Sequence, residues 1–100
     1  MTPEITIAAF QSASDAIGRY ASHLKPKRSV EPDFIHICRA ERLEHALWMC
    51  EQGARFAAAG ELGKAFRWLG FVQGVLWADG VRSIDDMRAD NAGRAVEPRR

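Results

Sequence analysis

Cysteine is scarce in this chain, and so is net charge. Cys38 and Cys50 are its only thiols, twelve residues apart in a stretch that reads as one helix. Twelve helical residues rise about 18 Å, far beyond the reach of a disulfide within one chain. Two core thiols in a reducing compartment are the expectation. Fourteen Lys and Arg stand against thirteen Asp and Glu, leaving a formal charge of +1. Such a balance gives no long-range field, so a general nucleic-acid binder driven by phosphate neutralisation is disfavoured. No apolar run is long enough to span a membrane, and the N-terminus lacks the basic start and apolar stretch of a signal peptide. The expected location is the cytoplasm, away from membranes. Also missing are internal repeats, low-complexity segments and the alternating pattern of strands. No glycine-rich phosphate loop follows a strand, no serine lies in a nucleophile elbow, and no zinc-finger spacing occurs. These absences argue against an enzyme and give no ground for a cofactor.

What is present is helical. One hundred residues fit one domain, expected over 1–91, with the Arg-rich 92–100 as a tail lacking apolar periodicity. A chain this short buries only about two-thirds of its unfolded surface, so assembly into an oligomer would help it. Residues 61–80 read as a helix apolar on nearly every face. Leu62, Ala65, Leu69, Val72 and Leu76 recur at steps of three and four, Gly63, Gly70 and Gly74 lie on a neighbouring stripe, and Phe66, Trp68, Phe71 and Trp77 fill most of the rest. A helix of that kind belongs at the centre of a bundle or against a second subunit.

Thr2-Pro3-Glu4 opens a first helix predicted over 3–24, with Phe10, Ala13, Ile17, Tyr20 and Leu24 on one stripe. Lys25-Pro-Lys-Arg-Ser-Val-Glu-Pro forms a linker, after which a second helix is predicted from about 32 to 58 and stopped by Gly60. The short connection Ala59-Gly60-Glu61 makes the second and third helices antiparallel neighbours. Asp79-Gly80 closes the third helix with a left-handed turn. Ser83-Ile-Asp-Asp caps a short fourth helix, with Ile84 and Met87 on its inner side, and Asn91-Ala-Gly93 ends it. The fold class is therefore an all-α small bundle: a helical hairpin with an N-terminal helix alongside and a short C-terminal helix.

Several constellations bear on chemistry. His36, Cys38, His45 and Cys50 do not share the three- or four-residue spacing that one ion requires. Glu41 and His45 do, but they read as a surface pair, and no metal is expected. Both cysteines lie mid-helix among apolar residues, which disfavours a thiolate. Gly70-x-x-x-Gly74 lets another backbone approach. The first candidate is the Ala-rich end of the second helix (Ala54, Ala57, Ala58), and the second is a two-fold helix crossing between subunits. Trp68 and Trp77 point to different sides, so at least one faces outward as an interface anchor. Lys25, Lys27 and Arg28, in a proline-stiffened loop after Tyr20, are the best candidates for anion recognition.

The run Arg67-Trp-Leu-Gly-Phe-Val-Gln-Gly-Val-Leu-Trp, then Gly80, then Ser83-Ile-Asp-Asp-Met-Arg with Asn91, resembles the C-terminal signature of a group of short proteins encoded by tailed phages and prophages. The resemblance covers about a third of the chain and carries no catalytic residues. It implies a small accessory protein of a bacterial virus that works in the host cytoplasm. The leading expectation is thus a homo-oligomer that binds a host protein stoichiometrically, as an inhibitor of antiviral defence of the anti-CRISPR kind. Trp48, Trp68, Phe71 and Trp77 would be its anchors, with Arg67 at the rim. The second is an oligomeric sponge for a nucleotide-type signalling ligand, held by Tyr20, Lys25, Lys27 and Arg28. Direct nucleic-acid binding comes third, because Asp85, Asp86 and Asp90 on the short helix would repel phosphates.

Overall fold

The computed structural model describes residues 1–28 and 38–93. Within them the chain forms four helices and no strand: α1 (Pro3–Tyr20), α2 (Arg39–Ala58), α3 (Leu62–Ala78) and α4 (Ile84–Asn91). The all-α class and the α2–α3 hairpin follow the sequence pattern. Thr2 Oγ1 accepts from the Ile5 N–H at 3.1 Å, and Ser83 Oγ accepts from the Asp86 N–H at 3.1 Å, so both expected N-caps are made. At the far end of α2, Gly60 adopts φ 85. Its N–H reaches the Ala57 carbonyl at 3.1 Å and the Glu61 N–H reaches Phe56 at 2.8 Å. Gly80 does the same for α3, with φ 72 and the Val81 N–H on the Leu76 carbonyl at 2.7 Å. Both are paired 5→2 and 6→1 closures that need a left-handed residue, which glycine adopts without strain.

Two boundaries differ from the sequence reading. α1 stops at Tyr20, not at 24, and Ala21 turns extended at φ −154, ψ 90. The chain beyond it is held by α2: the Lys27 N–H donates to the Glu44 carbonyl and the Lys25 N–H to Glu44 Oε2, each at 3.1 Å. Backbone groups that could have prolonged α1 are satisfied by a tertiary neighbour instead. α2 begins at Arg39, not at 32, because Cys38 is extended at φ −72, ψ 162. His36 and the other residues of 29–37 lie outside the described residues, as does 94–100, which makes up most of the expected tail. At 20 and 17 residues, α2 and α3 rise about 30 and 26 Å, so α2 outruns α3 by less than one turn. Ile84 is also turned outward, 47% exposed, while Met87 alone of that pair is buried.

α1 packs on each of the other three helices, and α2 on α3. The core is built from Phe10, Ala13 and Ile17 of α1, Leu43, Ala46, Cys50 and Ala57 of α2, and Ala65, Leu69, Val72 and Leu76 of α3. Phe10 lies directly against Gly53: a Cβ at 53 would fall 2.2 Å from Phe10 Cζ. Gly53→Ala is expected to lower stability by about 1–3 kcal/mol through overpacking. That outcome opposes the gain of about 1 kcal/mol that Ala normally brings to a helix interior. A urea midpoint that rises on substitution would show that the ring does not rest on the α2 backbone. Burial pushes the Cys50 thiol up to about 12, with Glu51 adding to the shift, so this cysteine is an inert core residue.

α4 is tied down by polar contacts. Arg82, 9% exposed, donates from Nη2 to Asp90 Oδ2 and to Ser12 Oγ (3.1 Å), while Ser12 Oγ donates to Asp90 Oδ1 at 2.9 Å. Gln73 and Asn91 exchange two side-chain amide bonds of 2.8 and 3.2 Å between α3 and α4. The molecule is only 20 Å thick in its shortest direction, about two helix widths. Among the described residues no third layer covers the far side of α3.

Candidate outer face of α3

The apolar stripe of α3 that faces inward is Ala65, Leu69, Val72 and Leu76, all buried. Turning 100° per residue, the opposite side carries Gly63, Gly70 and Gly74 in one line. Phe66 and Trp77 flank that line on one side, and Arg67, Phe71 and Ala78 on the other. The exposed fractions are 39% for Phe66, 56% for Phe71 and 59% for Trp77. Among the described residues, a Cβ added at Gly70 or Gly74 would meet nothing within 4 Å, and at Gly63 only Arg67 Nη1 at 3.8 Å. The close approach expected between Gly70-x-x-x-Gly74 and Ala54, Ala57 and Ala58 is therefore not made. α2 meets α3 through the Ala65–Leu76 stripe, and the glycines look away from it.

The five residues read as partner anchors separate into two groups. Phe71, Trp77 and Arg67 lie on the outer face. Trp48 and Trp68 are half-buried on the α2–α3 edge, packed against each other with ring centroids 5.6 Å apart and planes tilted by 43°. Phe56 meets Trp68 edge-on at 4.9 Å, and His45 lies 5.5 Å from Trp48. Two cations cover this cluster: Arg28 sits 5.5 Å from the Trp48 ring centre and Lys64 4.1 Å from that of Phe56. Its aromatic surface is thus largely satisfied within the chain.

Burial, and then the nearby Arg28 charge, hold the His45 imidazole below its ordinary range. The unfolded chain therefore binds this proton more readily than the folded one. Stability is complete above the unfolded value of about 6.5 and falls as the pH drops from there towards the lowered folded value. Melting temperature should accordingly decline over that window, and His45→Gln should flatten the decline. An identical decline in the variant would remove His45 as its source.

The residues read as anion ligands do not converge. Tyr20 is 46% exposed, and the Arg39 guanidinium lies 4.6 Å from its ring centre. Arg39 also donates to the Asp79 carbonyl, and Arg42 pairs with the Asp79 carboxylate at 2.8 Å, holding that carboxyl below the usual range. Arg28 stacks on Trp48, nine residues further along α2 than Arg39, a rise of about 13 Å. Lys25 and Lys27 are exposed between them, anchored through their backbone to Glu44, whose carboxylate places negative charge in the same loop. Cys38 is not mid-helix but exposed at the N-cap of α2, with its Sγ 3.1 Å from Glu41 Oε1. Among the described residues no group of three or more His, Cys, Asp or Glu is placed to hold a metal ion, and no helix is long and apolar enough to cross a membrane.

Phe66 joins Phe71 and Trp77 on this face although the expected anchors do not include it, and of the two approaches expected at Gly70-x-x-x-Gly74 the one to the end of α2 is not made. The available signal was their spacing: steps of seven and four keep Gly63, Gly70 and Gly74 on one face, opposite the aliphatic stripe. No family model, no curated protein and no solved structure matches this chain.

Proposed function

We propose that the chain is a binding protein without a reaction of its own, and that it engages other protein through the outer face of α3. The observation that carries this reading is the exposure of Phe71 and Trp77 beside helix glycines with nothing above them. Large aromatics standing together in solvent mark interaction surfaces, and tryptophan is a frequent anchor there. Each glycine in a helix interior costs about 1 kcal/mol relative to alanine, and among the described residues no contact requires Gly70 or Gly74. Local rules broken without an internal reason point to a demand from outside.

In the setting suggested by the likeness of 67–91 to phage accessory proteins, the target is a host protein. The chain would then act stoichiometrically in the host cytoplasm, as an inhibitor of antiviral defence. The nucleotide-sponge reading is second, because Tyr20 and Arg28 already have partners in Arg39 and Trp48, and Glu44 of α2 sets its carboxylate against the loop.

The test is one-to-one capture of a host protein by the purified chain, followed by Phe71→Ala with Trp77→Ala. Capture should be lost while melting is nearly unchanged, since exposed positions alter stability by about 0.5 kcal/mol or less. Capture retained by the double variant would sink this face as the binding surface. Melting temperatures with linear and cyclic nucleotides give the counter-test: a clear rise with one of them would favour the sponge.

A further inference from the structure

We infer that the outer face of α3 is built to receive a second copy of the same face, crossing antiparallel about a two-fold axis level with Val72. This rests on the preceding reading of that face as a protein-binding surface: the second copy occupies it in the free protein, and a host protein binds in its place.

The positions along α3 carry the argument. An antiparallel two-fold pairs each position with another at equal distance on the far side of the axis, and it brings like flanks together. The midpoint of Gly70 and Gly74 is position 72, so each open glycine faces the other one across the axis. Phe66 and Trp77 occupy the same flank, with their midpoint at 71.5, so Phe66 meets Trp77 of the second copy, and the reverse. On the other flank Phe71 is nearly level with the axis and meets its own counterpart. Arg67 and Ala78 have their midpoint at 72.5, which sets Arg67 against the carbonyl end of the second α3. Four independent pairings therefore agree on one axis to within 1.5 residues, about 2 Å of helix rise.

Charge selects the same arrangement. Lys64 and Arg67 are the cations of this helix, both near its N-terminal end. A parallel crossing would bring them together with their like-charged copies and with two positive helix ends. The antiparallel crossing separates them and places each Arg67 near a negative helix end. The two exposed glycines allow the backbones to approach closely, with the aromatic side chains of each copy flanking the contact.

The area is adequate. Phe66, Phe71 and Trp77 leave roughly 300–350 Å² of aromatic surface open per copy, taking about 200–250 Å² for each whole side chain. With the glycine backbone and the stem of Arg67, two copies would bury about 1,000 Å² in total, the lower edge of a specific interface. A dimer in exchange with its monomer is the expected state.

Sedimentation equilibrium of the wild type and of Gly70→Ala with Gly74→Ala tests this. The wild type should show a mass that climbs with concentration from one chain of 11.2 kDa towards two. In the variant the added methyl groups meet open space within the chain but hold two helices apart. Its melting temperature at high dilution should rise, because alanine favours helix, while its dimer dissociation constant weakens about tenfold or more. Opposite signs from the same two methyl groups are the signature of this contact. A wild type monomeric at every concentration overturns the second copy yet leaves the host-protein reading standing. A dimer of equal strength in the variant overturns the α3 contact, since the interface then lies elsewhere. A variant that melts lower when dilute overturns the open placement of the glycines themselves.

Discussion

Phe10→Ala is expected to remove about 3–5 kcal/mol from the folding free energy, as for other fully buried phenylalanines. The ring is 1% exposed and lies on Gly53, where α1 packs against α2. Removing it takes away the contact that fixes the distance between these helices and leaves a hole lined by α2 backbone. A domain of this length has about 5–15 kcal/mol in total, so the variant should be partly unfolded at moderate temperature. The interaction can be isolated by combining changes. The three atoms nearest an added Cβ at Gly53 all belong to the Phe10 ring, so in a Phe10→Ala background Gly53→Ala should become neutral or stabilising. A double-mutant cycle in urea would then give a coupling between the two sites of about 1–3 kcal/mol. Additive effects would mean that the ring and the glycine do not touch.

The second large effect is expected at Asp90. Arg82 and Asp90 have side chains 6% and 8% exposed, and among the described residues Arg82 Nε is buried without a hydrogen-bond partner. The guanidinium thus depends on Asp90, with help from Ser12, for compensation of its charge. Asp90→Ala should cost about 3–5 kcal/mol by leaving a buried cation unpaired. Replacing both residues with apolar ones, Arg82→Met with Asp90→Leu, should cost much less, because desolvation of two charges already offsets much of the attraction between them. Equilibrium unfolding of the single and double variants decides this. A single variant within 1 kcal/mol of the wild type would mean that water or another group reaches Arg82 freely.

Features set by a few neighbouring residues were legible in the sequence. Thr2 and Ser83 as caps, Gly60 and Gly80 as terminators, and Ala65, Leu69, Val72 and Leu76 as the inner stripe of α3 all depend on local chemistry or helical period. Where α1 ends was not legible, because Glu44 lies about twenty positions away and its two bonds to the 21–28 stretch are tertiary. Cys38 and Ile84 were misplaced for a related reason, as periodicity alone does not say where a helix begins or which apolar residue of a short helix turns inward. The outer face was half legible. Trp77 and Phe71 were recognisable as anchors, whereas Trp48 and Trp68 found each other and two cations. Gly70-x-x-x-Gly74 states that something approaches the helix but not from which side. The two-helix thickness of the molecule turns that side outward.

The clamp between α1 and α4 also bears on when the chain can finish folding. Ser12 and Asp90 are separated by 78 residues, nearly the longest separation that the described residues allow. At a synthesis rate of 5–20 residues per second, Ser12 precedes its acceptor by about 4–16 s. The hairpin of α2 and α3 can close within that interval, since its contacts are nearer in sequence. The first helix made is therefore the last to be locked in place. Until then its apolar stripe is covered by α2 and α3 alone.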